Sequence, residues 1–409
     1  MKDIDAQSSG DHFISSVGGR TASLVFIIIL ILLSLVQFPR NSRSEVSFQG
    51  SAKAGGSFYE PEEGSSSSFL DTCARGRVFY KNDDKFSSEA VYEVYPAYRI
   101  KGDQTVGDEV ARDYRISDLN QKIHPPSSDS DSRFRAYQNL DRLNMSYGFE
   151  SMDLSIGRQA VSFGTAKTMS PNDVILPFSM NAIDKEYRDG VDSIRMRIPL
   201  STLSGIDLGV IFGKDFKKEN GAGFVRSKFN INKIDLTLSF VNFKDNAQGG
   251  MEIGTQMEGA SLWIDAAHTR PKGDDEFARF TFGGDYSFKN DLYLALEYHY
   301  NGIGKVSRKD YLLNALSRKA YRDKYVFLLA RDYASIIFSY PVHPLFSFSG
   351  TFMSNLDDSS SLLSVKGEYN FRENWYLNIG SVSGFKGGSS GSEFGEYGKV
   401  HYGEVKYYF

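Results

Sequence analysis

Beyond Glu45 the chain is built from runs of about ten residues in which apolar and polar side chains alternate. Successive residues of a β-strand point to opposite faces, so each run makes a ribbon with one apolar and one polar side. Ile234, Leu236, Leu238 and Phe240 share a face against Asp235, Thr237 and Ser239. Leu292, Leu294, Leu296, Tyr298 and Tyr300 oppose Tyr293, Glu297 and His299. Phe280, Phe282, Tyr286 and Phe288 oppose Arg279, Thr281, Asp285 and Ser287, while Ile194, Met196 and Ile198 oppose Ser193, Arg195 and Arg197. A further run, 374–384, begins with Trp375, Leu377 and Ile379 against Asn378.

The connections between these runs add a second constraint. Read back from Phe409, they alternate between short ones (372–374, 341–344, 289–290, 232–233, 150–152, 83–85) and longer ones (385–397, 302–323, 165–190, 101–136). Modest connections fall at 215–220, 245–249 and 270–276. Tight turns on one side and long loops on the other are expected of an outer-membrane barrel, with the turns periplasmic and the loops external. The fold class is therefore all-β: a single transmembrane antiparallel β-barrel of about 18 strands, each taking about 20 residues with its connection. About 16 strands is the alternative, because 46–100 and 250–269 alternate weakly. A large soluble β-sandwich alternates strand by strand in the same way. Against it stand the turn–loop parity, the aromatic strand ends (Tyr298, Tyr300, Phe371, Trp375) and the C-terminus.

Composition agrees with this class. Aromatic residues make up 14% of the 409 residues, with 31 Phe, 24 Tyr and 38 Gly, yet the chain is only 41% hydrophobic. Its mean hydropathy is −0.35. A series of apolar stretches about 20 residues long, which a polytopic helical protein needs, is not present. Cys73 is the single cysteine, so no internal disulfide or cysteine-based metal site forms. The net charge of −4 offers no footprint for nucleic acid.

Residues 22–36, ASLVFIIILILLSLV, form an apolar run after Arg20. It is short for a spanning helix and suits the core of an export signal. The expected division is an export segment, 1–44, cleaved before Glu45, followed by the barrel, 45–409. An uncleaved N-terminal anchor is the alternative.

The last run reads Lys399 to Phe409, with Phe409, Tyr407, Val405 and Gly403 on one face and Tyr408, Lys406, Glu404 and Tyr402 on the other. It resembles the C-terminal assembly signal of Gram-negative outer-membrane proteins, carried here by Val405, Tyr407 and Phe409. The resemblance to porin-like barrels covers roughly residues 46–409. It implies the cell outer membrane as location, outer-membrane lipid and the barrel-assembly machinery as partners, and a possible homo-oligomer. A more local resemblance joins Gly157-Arg-Gln-Ala-Val-Ser-Phe-Gly164, Ser170-Pro-Asn-Asp173, Pro177-Phe178 and 183–192 to a pattern of poorly characterised proteobacterial porin-like proteins. Phe163 stands where that pattern has Trp. The family implies a channel and names no substrate.

Residues 165–190 make a long connection rich in apolar groups, among them Met169, Val174, Ile175, Leu176, Phe178, Met180 and Ile183. Such loops are usually either functional or disordered. Folded inward, this one would constrict the lumen with Lys167, Asp173, Asp184, Lys185, Glu186, Arg188 and Asp189; folded outward, it would pack on neighbouring loops. Arg158 shares parity with lipid-facing Leu154 and Ile156, where it would cost about 2–4 kcal/mol. A bulge at Gly157 is expected to turn it into the lumen. Lumen-lining candidates are Arg158, Asp192, Arg195, Arg197, Arg226, Lys228, Asp235, Arg279, Asp285, Glu297, Lys366 and Glu368, with Asp207 and Asp265 on the same faces. Their signs balance, whereas selective pores carry rings of one charge. A weakly selective channel for passive diffusion of small hydrophilic solutes or ions follows. Many of these groups would equally serve as cross-strand pairs that stiffen the wall.

Other functions are less well served. The six histidines lack the spacing of a metal site, so no enzyme and no cofactor is expected. A barrel sheathing a partner such as an electron-transfer cytochrome, or displaying adhesive loops, is the alternative. Loops 101–136 and 302–323 would serve as docking surfaces, or simply as solvated loops. No C-x-x-C-H motif is present, so any haem would belong to a partner.

Overall fold

Alternation has the expected outcome. In a computed structural model, which describes residues 44–83, 85–102, 112–125, 132–178, 186–387 and 391–409, the strands form one antiparallel sheet of nineteen. Eighteen make the wall: β1 (Ser44–Glu60), β2 (Ser67–Asn82), β3 (Phe86–Lys101), β5 (Phe134–Gly148), β6 (Asp153–Gln159), β7 (Val191–Pro199), β8 (Gly205–Ile211), β9 (Ala222–Ile231) and β10 (Ile234–Phe243) run through the first half. The second half comprises β11 (Asn246–Met257), β12 (Ala260–Pro271), β13 (Phe277–Ser287), β14 (Tyr293–Asn301), β15 (Asp332–His343), β16 (Phe346–Asn355), β17 (Ser361–Arg372), β18 (Trp375–Phe385) and β19 (Lys399–Tyr408). The nineteenth, β4 (Lys122–His124), is a short addition to β5. Each wall strand pairs with its sequence neighbours, and β1 pairs with both β2 and β19, so the sheet closes. The export segment lies outside the described residues except for Ser44, where β1 begins.

The two regions of weak alternation hold full strands. The outward face of β1 carries Gly50, Ala52, Ala54 and Gly56, and β11 contains Gly249, Gly250 and Gly254. Side chains this small give little hydrophobic contrast between faces, although backbone pairing runs unbroken through them. Turn–loop parity also has one departure. The external connection between β10 and β11 is only Lys244-Asp245, both at positive φ (46° and 60°), as a two-residue hairpin turn requires. The periplasmic turn Asn232-Lys233 has the same conformation, with φ of 51° and 68°.

A larger difference concerns the inward face. Strand β10 shows it: Leu238 and Phe240 face outward, Thr237 is buried inside, and Val241 and Phe243, on the same inward parity, are fully buried. The inward faces are polar toward the periplasm and apolar toward the outside. Ile211, Phe224, Val241, Phe243 and Phe277 at the external strand ends meet Val161, Phe163, Val174 and Ile175 from the 160–190 connection. Tyr114, Ile303, Tyr325 and Val326 from other external connections complete this core. Each such burial contributes about 1.5–3 kcal/mol.

The segments 101–136 and 302–323 are therefore more than solvated loops. Tyr114 and Arg115 are buried, and the β14–β15 connection, 302–331, contains a helix over Tyr311–Ser317 and a turn of helix over Lys319–Arg322. Its run Tyr325-Val-Phe-Leu-Leu-Ala330 reads as strand by composition. In the fold, Tyr325, Val326, Leu328 and Ala330 are buried as a packed coil.

Candidate functional site

The connection from Gln159 to Val191 crosses the lumen, and charged wall residues hold it at both ends. On the β11–β14 side, carboxylates accept from its backbone. Asp265 takes the N–H groups of Thr165 (2.8 Å) and Ala166 (3.0 Å) and the hydroxyls of Ser170 (2.7 Å) and Thr165. Glu297 takes the N–H groups of Lys167 (2.6 Å) and Thr168 (2.8 Å), the Thr168 hydroxyl, and Trp263 Nε1 (2.9 Å). Glu252 accepts from Gly164 N–H at 3.2 Å and pairs with Arg226. Buried backbone donors need acceptors, and an irregular segment inside a barrel finds them on the wall.

At the far end, Glu186 reaches the seam where the barrel closes. Its carboxylate meets Lys53 Nζ on β1 at 2.8 Å, Lys406 Nζ on β19 at 3.3 Å and the Tyr408 hydroxyl at 3.0 Å. Partial burial pushes its pKa up, but the hydrogen bonds from Lys53 and Tyr187 and the positive charges of Lys53 and Lys406 outweigh this and hold it at about 2. Next to it, the Tyr187 ring lies under the Arg75 guanidinium at 4.0 Å and near Lys53 Nζ at 5.4 Å.

The remaining predicted loop charges divide between two environments. Lys167 lies over the Trp263 ring and lines a cavity. Asp173 is buried and paired with Arg188 at 2.7 Å, whose guanidinium also stacks on Phe178 at 4.6 Å. This pair staples the loop to itself. Asp189 meets Arg112 at 3.3 Å. Asp184 and Lys185 lie outside the described residues.

The predicted wall charges face inward, and many are already engaged. Arg158 is buried, clasped by Asp192 (2.7 Å), Asp118 (3.1 Å) and the carbonyls of Ser117 and Leu140. No residue is inserted at Gly157, because pairing to β5 and β7 stays in register. Gly157 instead takes φ of +116°, and a Cβ there would lie 2.3 Å from the Leu143 carbonyl. The expected bulge is thus a twist that only glycine permits. Arg195 pairs with Asp207, Lys228 with Asp235 at 3.1 Å, and Lys366 with Glu368 at 3.1 Å. Arg279 is buried and donates to the Pro171 carbonyl at 2.8 Å; Asp285 accepts from Ser261 N–H and the Tyr293 hydroxyl. Arg197 is exposed. His299 is buried, with Nδ1 2.7 Å from the Thr281 hydroxyl.

Space remains along β1–β3 and β15–β19. A cavity of about 630 Å³ separates Lys167, Thr168 and Glu186 of the loop from Lys366, Glu368, Tyr402, Glu404, Lys406 and Tyr408 of the wall. A second, of about 310 Å³, is lined by Lys53, Asp71, Cys73, Arg75, Tyr95, Tyr187, Asp189 and Glu404. A third, of about 660 Å³ toward the periplasmic end, is lined by Arg75, Arg77, Glu89, Arg142, Tyr187, Tyr408 and Phe409. They share lining residues, Glu404 between the first two and Tyr187 between the last two, so they adjoin around Glu186 and Tyr187. Sequence reading did not single out Lys53, Arg75, Tyr187 or Glu404 for the lumen. The polar face of the last strand, Tyr402 to Tyr408, was the one available signal.

At the C-terminus, Val405 and Tyr407 face outward, and Tyr407 stacks between Trp375 (4.6 Å) and Phe409 (5.9 Å). Gly50 and Phe409 exchange backbone hydrogen bonds of 2.8 and 3.0 Å.

Eighteen wall strands, short turns at one end, longer connections at the other and an inward loop define a porin-like barrel, the fold of outer-membrane channel proteins. Among solved structures, the chain is similar to Acinetobacter baumannii OccAB2 (TM-score 0.57, 7% identity), covering 89% of this chain and 98% of that one. It is likewise similar to Pseudomonas aeruginosa OccK8 (OprE), with TM-score 0.55 and 8% identity, and to the outer membrane protein opdK of the same organism, with TM-score 0.54 and 9% identity. Both cover 89% of this chain and 98% of theirs. At such identities the likeness is one of fold. No family model and no curated protein matches the sequence.

Proposed function

We propose that this barrel is a channel of the Gram-negative outer membrane through which small hydrophilic solutes diffuse passively. The observation that carries this reading is the set of adjoining cavities between the inward loop and the β1–β3 and β15–β19 wall. Elsewhere the described parts of the loop pack against the wall; here both sides carry charged and hydroxyl groups facing open space. The lining mixes Lys53, Arg75, Arg77, Lys366 and Lys406 with Asp71, Glu186, Glu368 and Glu404. Rings of a single sign make ion-selective pores, so this lining supports weak selectivity. The same dimensions favour solutes over a sheathed polypeptide.

In this reading the N-terminal segment directs export and Val405, Tyr407 and Phe409 present the assembly signal. Planar-bilayer recording of the refolded protein tests the channel. Stable ohmic steps with a reversal potential near zero in a salt gradient are expected. A barrel that inserts but never conducts would refute it.

A further inference from the structure

A buried carboxyl without a cation lies in the β18–β19 connection. Glu393 is 4% exposed. Leu329 N–H donates to its Oε1 at 2.9 Å, and Asn355 Nδ2 and the Tyr333 hydroxyl donate to its Oε2. All three donors are neutral, and no Lys, Arg or His pairs with Glu393 among the described residues. The titratable groups facing it from other elements are Tyr333 of β15, Tyr311 and Tyr321 of the β14–β15 connection, and Asp357 and Asp358 of the β16–β17 turn. Glu396 and Tyr397 follow on its own connection. Lys386 and Arg331, on adjoining segments, are engaged with Glu62 at 2.6 Å and Asp332 at 3.2 Å. Ionising a buried carboxyl that has no cation is costly. Burial, with the negative charge of Asp358, pushes this one up to about 7 against its hydrogen bonds.

The residue after it closes a cavity. Phe394 is fully buried in one apolar cluster with Tyr333, Met353, Leu362 and Val382. Met353 and Leu362 are also the most external residues of β16 and β17 that line the cavity of about 630 Å³. The cluster therefore roofs that cavity at its external end. Phe394 belongs to a strap, 391–398, bounded by Gly391 and Gly398 at φ of +77° and +64°, a region glycine enters without strain. The Glu393 side chain ties the strap to β15 through Tyr333 and to β16 through Asn355.

We propose that the strap 391–398 is a proton-operated lid on the external mouth of the channel. With Glu393 protonated, the strap stays seated and Phe394 seals the roof. Loss of that proton to external water leaves a buried charge, and the strap lifts to hydrate it. A lifted strap exposes the carboxyl, which then titrates near its ordinary value of about 4.5. Opening therefore gains about tenfold per pH unit between about 5 and 7, and levels off above that. The proposal rests on the channel reading.

Single-channel recording of the refolded full chain at pH 5 and pH 8 tests it. The open-to-closed ratio should rise about seventyfold between the two. Glu393→Gln, which keeps the group neutral, should stay closed at both, and Phe394→Ala should stay open at both. Hydrogen exchange of the peptide 391–398, corrected for the intrinsic rate, should follow the same course without needing conduction. Open steps that ignore pH, or a pH response that survives in Glu393→Gln, overturn the lid and leave the channel standing. Silence of all three proteins at both pH values, with exchange of 391–398 still rising, overturns the channel reading and the lid with it.

Discussion

Replacing Asp265 with alanine should release the loop from the wall without unfolding the barrel. The carboxylate is fully buried and accepts from two backbone N–H groups, Thr165 and Ala166, and from the hydroxyls of Thr165 and Ser170. Hydroxyls can rotate toward other acceptors, but the two amides cannot. Thr165 is exposed and Ala166 half-buried, so water can replace the lost acceptor; at a net value of about 0.5–1.5 kcal/mol for each bond, the strip 164–170 loses roughly 1–3 kcal/mol. The roots of the loop are held separately, by Phe163, Val174 and Ile175 in the inner core. At about 1.5–3 kcal/mol each, those contacts keep the rest docked. Opening of the strip should therefore rise at least about fivefold. Hydrogen exchange followed by mass spectrometry reads this directly, because local opening governs amide exchange. The peptide spanning 164–170 should lose protection by that factor in Asp265→Ala, while strand peptides stay unchanged. Asp265→Asn, which keeps one acceptor oxygen, should fall between. Unchanged protection of 164–170 in the alanine variant would refute the claim that wall carboxylates hold the loop.

Three further expectations follow from other parts of the barrel. Gly50→Ala should lower the refolded yield, seen as heat-modifiable mobility in a denaturing gel, because the new Cβ would lie 2.7 Å from the Arg75 carbonyl, which the sheet holds in place, and would also push the Phe409 ring aside at the closing seam, a clash worth about 1–3 kcal/mol. Gly76→Ala, at the directly paired position with open space around its Cβ, is the control and should refold normally. Glu393, in the β18–β19 connection, has its pKa pushed up to about 7 by burial, against the opposing effect of donors such as the Tyr333 hydroxyl. Its packing is strongest below the ordinary value near 4.5 and is lost as pH rises through about 7, roughly 3 kcal/mol in all; Leu329 N–H, which donates to it, should exchange faster relative to the intrinsic rate at pH 8 than at pH 5 in the wild type but not in Glu393→Gln. Deleting 170–186 should raise single-channel conductance, and an unchanged value would remove the constriction role.

Legibility in the sequence differed between the two faces of the wall. Outward positions such as Leu238, Phe282 and Leu296 declared themselves because lipid demands apolar side chains at every second residue. Inward positions carry no such uniform demand. Glu297 and Asp265 read as lumen charges, and they do face inward, but their carboxylates are spent on loop amides from a segment 99–130 residues away in sequence. Val241 and Phe243, on inward parity, were the available sign of a packed interior in the external half. Their parity was visible; the partner that covers them was not.

The sequence alone determined that this chain closes into a membrane-spanning barrel, roughly how many strands it uses and which face of most strands meets lipid. Those properties follow from local periodicity and from the obligation to pair every backbone group in a membrane. Only the tertiary structure decided which inward charges remain available to a solute. That depends on where an irregular loop finds acceptors for its amides and where Glu186 finds Lys53 and Lys406. Such contacts join residues far apart in the chain, and no periodicity records them.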